Sequence, residues 1–199
     1  MVIRALIISF ALPVLAATNG RQASVVRALF IKGTRLALNS DLTLTSLQRT
    51  FGPTALVAPR HHDDPWSECY SALDSIGPFT IRLQSDELGG PEHVLLGFEL
   101  NRDRASDLEA RTCASVGVVY DAKTDNGLYL GMPVAVLLKV MGRPARTTEG
   151  NYSFEFREVH ERVTDSSGKI AEAYENWGSV EVKTVHGRVH RLFAWYVGK

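Results

Sequence analysis

The chain states one pattern twice, and a duplicated supersecondary unit constrains a fold more tightly than composition does. Ala23-Ser24-Val25 opens a stretch that runs through Leu36-Ala37-Leu38 to Leu44, Leu47 and Phe51-Gly52-Pro53. Ala114-Ser115-Val116 opens a second that runs through Leu128-Tyr129-Leu130 to Val134, Leu137, Met141-Gly142 and Pro144. Downstream, the eight residues from His93 to Leu100 align with those from His190 to Val197. A period this long marks one unit duplicated in tandem, not a solenoid.

Within each copy the local signals change in the same order. Val25 to Ile31 and Val116 to Tyr120 are β-branched, apolar runs that read as strands. Leu44, Leu47 and Phe51 then recur at helical spacing, as do Val134, Leu137, Leu138 and Met141 behind Pro133. Gly52 and Gly142 stand where helices end in a left-handed residue, each with a proline close behind. After the helices the period falls to two: Phe79, Ile81 and Leu83; Tyr152, Phe154 and Phe156; Val180 and Val182 all alternate with polar residues. Strands with one apolar face suit an antiparallel sheet covered on a single side. Gly89-Gly90-Pro91 and His186-Gly187 read as turns, Asp165 to Gly168 as an exposed one, and Arg102 to Arg111 as the charged connection between copies. The fold class expected is therefore α+β: two tandem helix-plus-antiparallel-sheet repeats that form one curved sheet with the helices on one face.

Met1 to Ala17 has the anatomy of an export signal, with Arg4 ahead of an apolar middle and small residues at Ala16-Ala17. An uncleaved anchor is the alternative. The divisions expected are a signal peptide at 1–17, a first repeat at 18–113 and a second at 114–199, with the protein periplasmic or secreted. In an oxidising compartment Cys69 and Cys113, the two cysteines of the chain, are expected to pair, two buried thiols being the other reading. Lys and Arg balance Asp and Glu at 22 each, which argues against nucleic acid or an anionic membrane as the main partner.

Gly127-Leu128-Tyr129-Leu130-Gly131-Met132-Pro133, with Val136-Leu137-Leu138 and Met141-Gly142-Arg143-Pro144 behind it, resembles the helix-opening motif of two groups of exported α+β domains. These are the SmpA/OmlA-type outer-membrane-assembly lipoproteins and the β-lactamase inhibitory protein family. Two tandem copies look more like the inhibitory proteins, and that resemblance implies a curved sheet that holds another protein. The first copy departs from the motif, with Asp41-Leu42-Thr43 in place of Gly131-Met132-Pro133, and neither copy has a lipid-attachment cysteine.

His61-His62-Asp63-Asp64 carries metal-ligand chemistry, but neighbours on an extended chain point to opposite sides and cannot close a tetrahedral site alone. A solvated loop beside Trp66 is the plainer reading. His186 and His190 stand four apart on strand-like sequence, roughly 13 Å, too far to share one metal. No nucleophile elbow, phosphate-cradling loop or paired Ser-His-Asp signature occurs, so no catalytic residue, metal or cofactor is assigned.

If Phe79, Ile81, Leu83, Phe98, Tyr152, Phe154, Phe156, Phe193 and Trp195 pack beneath the helices, then Arg82, Gln84, Glu99, Glu155, Arg157, Glu181, Lys183 and Tyr196 line the open side. Trp66 adds a loop contact. Mixed charge with an aromatic suits protein recognition. The function expected is that of an exported, non-catalytic protein-binding module, inhibition being one form of it, whose partner is another extracytoplasmic protein. An envelope-assembly scaffold and a metal-dependent hydrolase are the alternatives.

Overall fold

Thr43 and Gly52 bracket the first helix. The Thr43 hydroxyl accepts from the Ser46 amide at 3.1 Å, the Ser46 hydroxyl accepts from the Thr43 amide at 3.0 Å, and this reciprocal cap starts α1, Leu44–Phe51. Leu44 and Leu47 face inward, and Gly52, at φ +95°, ends the helix. The second helix, α2, spans Val134–Met141; it begins behind Pro133, buries Leu137 and Met141 and stops at Gly142, at φ +82°. The ends of both helices and the start of α2 thus follow from the glycines and Pro133 read in the sequence, and the Thr43–Ser46 cap adds the start of α1.

The computed structural model describes residues 23–61, 64–86, 89–103, 112–163 and 170–198, with backbone alone for 160–163 and 170–174. The segment read as an export signal, most of the connection ending at Arg111 and the Asp165 to Gly168 turn lie outside the described residues. Among those described, no helix is long and apolar enough to cross a membrane.

Strands dominate. β1 (Ala28–Ile31) and β2 (Thr34–Ala37) form a hairpin that joins β7 (Lys123–Thr124) in a three-stranded sheet of order β2-β1-β7. β3 (Ser67–Leu73), β4 (Pro78–Gln84), β5 (Gly97–Asn101), β6 (Ala114–Val118), β8 (Arg146–Thr148), β9 (Asn151–Val163), β10 (Ile170–Val185) and β11 (Arg188–Gly198) form an eight-stranded sheet of order β6-β3-β4-β5-β11-β10-β9-β8. β6 runs parallel to β3; the other pairs of this sheet are antiparallel.

This corrects the expected α+β class of two helix-plus-sheet repeats on one curved sheet. The protein is sheet-dominated and closer to all-β, its strands divide between two sheets, and each eight-residue helix is a minor element. The opening strands that matched in sequence go to different places, β1 to the small sheet and β6 to an edge of the large one. Strand lengths differ too: β3, β4 and β5 have 7, 7 and 5 residues, β9, β10 and β11 have 13, 16 and 11.

One correspondence shows why the alignment misled. Thr43, capping α1, bridges Val94; Pro133, capping α2, bridges Arg188. Equivalent residues are therefore Val94 and Arg188, whereas the sequence had matched His93 with His190, three residues out of step. An odd slip exchanges the two faces of a strand. In β11 the buried residues are Val189, Leu192, Ala194 and Tyr196, while Phe193 and Trp195 look to the opposite side.

A single core gathers Leu29, Ile31 and Leu36 of the small sheet, the helix residues Leu44, Leu47, Leu137 and Met141, and one face of the large sheet. Neither α1 nor α2 packs against the other face of the large sheet, which is open among the described residues. Cys69 and Cys113 are joined in a disulfide that ties β3 to the entry of β6. β8 pairs with β9 only over Asn151 to Ser153, and beyond Ser153 the outer border of β9 meets no strand among the described residues.

Candidate functional site

Register fixes which side chains stand together on the uncovered face. One row runs Cys69, Arg82, Glu99, Phe193, Glu181, Ser153 and Arg146 across seven strands. The next runs Gln84, Gly97, Trp195, Ser179 and Glu155, and beyond it stand Val197, Trp177 and Arg157. Arg82, Gln84, Glu99, Glu155, Arg157, Glu181 and Lys183 thus share this face, as the two-residue period implies.

Much of the charge is paired. Arg191 reaches Glu99 at 2.8 Å, and the Asn101 amide donates to the second oxygen of Glu99 at 2.9 Å. Lys183 binds Asp103 at 2.9 Å, with His190 at 3.2 Å from the other oxygen, and these neighbours, Lys183 first, hold the Asp103 carboxyl below its ordinary range. Arg157 pairs with Glu175 and lies over the Trp177 ring, 5.0 Å from its centroid. Glu155 and Glu181 have no ion-pair partner among the described residues, and both carboxylates line a concavity of about 520 Å³ walled by Trp177, Trp195 and Arg157.

Tyr196 is not part of this surface. It is 6% exposed and sits on the covered face, where its hydroxyl donates to Glu158 at 2.8 Å and accepts from the Asn176 amide at 2.6 Å. Burial, then the Glu158 carboxylate, pushes its pKa up. Trp66 precedes β3 half-buried against the core, so it offers no exposed loop contact. Of the His61 to Asp64 run, His62 and Asp63 lie outside the described residues; the His61 amide donates to the Asp64 carboxylate at 2.9 Å, closing a turn.

The aromatic members of the face are Trp177, Trp195 and Phe193. Extending the alternation of Lys183 and Glu181 back along the strand reaches Ser179 and Trp177, a signal the sequence does contain. For Phe193 and Trp195 no such signal exists, because Leu192 to Val197 is apolar or aromatic at every position.

A second exposed apolar surface lies at one end of the large sheet. Ile76 is 62% exposed and Tyr120 81%, and with Tyr129 they surround a cavity of about 350 Å³ floored by Phe79, Val119 and Leu130. Both loops are held rigidly. Asp74 accepts from the amides of Ile76 and Gly77 and pairs with the nearly buried Arg102, while Asp121 accepts from the amides of Lys32 and Gly33.

No family model, curated protein or solved structure matches this chain, and nothing in these comparisons identifies the inhibitory-protein or SmpA/OmlA families.

Proposed function

We propose that this chain is an exported protein-binding module that grips its partner with the uncovered face of the eight-stranded sheet. The carrying observation is the concavity in which Trp177 and Trp195 stand among Glu155, Glu181, Arg157 and Arg146, with Phe193 beside it. Tryptophan and arginine are the side chains that most often anchor protein interfaces, and rigid strands present them here at little conformational cost. The Cys69–Cys113 disulfide supports a place outside the reducing cytoplasm.

Affinity capture from an extracytoplasmic fraction tests the reading. A specific partner retained by the wild type and lost with W195A and W177A, both folded, is the expected result; capture unchanged by both variants would sink it. The loop-end surface is a second contact site on the same reading, because hydrophobic side chains held rigid in water are a usual mark of a docking patch. Tyr120→Ser and Ile76→Ser should then weaken the same complex.

A further inference from the structure

On a pleated sheet each residue has four neighbours on its own face, two along the strand at about 7 Å and two across it at about 5 Å. For Ser179 these are Trp177 and Glu181 along β10, Glu155 across on β9 and Trp195 across on β11. A small hydroxyl side chain therefore forms the floor of a box with two indole walls and two carboxylate walls. Ser179 is only 8% exposed although neither α1 nor α2 lies on this side, because the walls rise around it. Glu155 and Glu181 bring two carboxylates that make no ion pair among the described residues, with Arg146 and Arg157 at the edges of the same concavity, and indole faces are themselves negative.

From this arrangement we infer that the box receives the side chain of an arginine on the partner protein. The inference rests on the protein-binding reading of the open face and adds the chemistry of the contact. A guanidinium is flat enough to lie against an indole, and its forked donors match carboxylates. The molecule makes the same contact at a corner of the box, where Arg157 lies over Trp177 and pairs with Glu175. Arg157 is thus committed to Glu175, and Arg146, the other cation of the concavity, lies on β8 across Ser153 from Glu181. A neutral or acidic side chain would leave both glutamates unanswered.

The test uses Nα-acetyl-arginine methylamide as probe, the neutral citrulline counterpart as control, and the indole N–H signals of the folded protein. The arginine probe should shift the Trp177 and Trp195 signals saturably in the millimolar range, leave Trp66 unmoved, and bind at least about ten-fold more tightly than citrulline or the lysine counterpart. E155Q combined with E181Q should remove most of the response while the rest of the spectrum stays native. No saturable shift, an equal response to citrulline or lysine, or an unchanged response in the double variant would overturn the inference. A partner captured through Trp195 by a protein that ignores the arginine probe would likewise overturn it, yet leave the protein-binding reading standing.

Discussion

The Tyr196 hydroxyl and the Glu158 carboxylate meet at 2.8 Å on the covered side of the large sheet. Glu158 also pairs with Arg27, and Asn176 donates to the same hydroxyl, so four residues from separate segments form one network. Tyr196→Phe leaves the Asn176 amide and the Glu158 carboxylate each short of a partner. The expected cost is about 1–3 kcal/mol in urea denaturation, with capture of the partner unchanged. Loss of capture without loss of stability would return Tyr196 to the recognition surface.

Glu68 gives stability an unusual dependence on pH. It is fully buried on β3, neither carboxyl oxygen has a partner at hydrogen-bond geometry among the described residues, and burial pushes its pKa up to about 7, the nearby polar groups of Gln48 and Tyr70 moderating the rise. A folded-state pKa above the unfolded one, near 4.5, means that the native state holds the proton more tightly. Its stabilising contribution is therefore complete below about pH 4.5 and is lost as pH rises through about 7, by roughly 3 kcal/mol in total. Thermal melts from acid to mildly alkaline pH check this, and Glu68→Gln should flatten that part of the profile. An unchanged profile in the variant would show that another group sets it.

The disulfide closes a loop with a sequence separation of 44. Replacing both Cys69 and Cys113 by serine should lower stability by about 4 kcal/mol through the entropy returned to the unfolded chain. Equilibrium unfolding of the variant beside the oxidised and reduced wild type measures it, and equal stability of the oxidised and reduced forms would contradict the expectation.

Gly178 has no room for a side chain. A Cβ there would come within 2.3 Å of the Phe156 ring and 2.7 Å of the Trp195 carbonyl oxygen. Gly178→Ala should cost about 1–3 kcal/mol by overpacking and shift the Trp195 signal, both readable from a melt and an indole spectrum. A neutral substitution would show that Phe156 can move aside.

What could be read in the sequence and what could not divide along a physical line. The helices, the turn at His186-Gly187, the Cys69–Cys113 pair and the open-face placement of Arg82 to Lys183 all follow from local rules: caps, glycines, redox chemistry and a period of two. Phe193, Trp195 and Tyr196 depend on which way one strand is turned, and an apolar strand carries no polar alternation to say so. A three-residue error in matching His93 with His190 therefore placed all three on the wrong side. The division into two sheets was equally hidden, because β1 and β6 read alike and differ only in the strands they find. The box around Ser179 draws on three strands, so no single stretch of sequence displays it.

The outer border of β9 beyond Ser153, which no strand among the described residues meets, has a further meaning. An unpaired strand border is a template on which a foreign extended chain, or another molecule of the same kind, can lay itself down and begin a fibre. Glu155 and Arg157 are the first two residues past Ser153 on the uncovered side, and charged groups there make such stacking costly. Glu155 would then serve two ends at once, welcoming one cationic visitor while discouraging polymerisation.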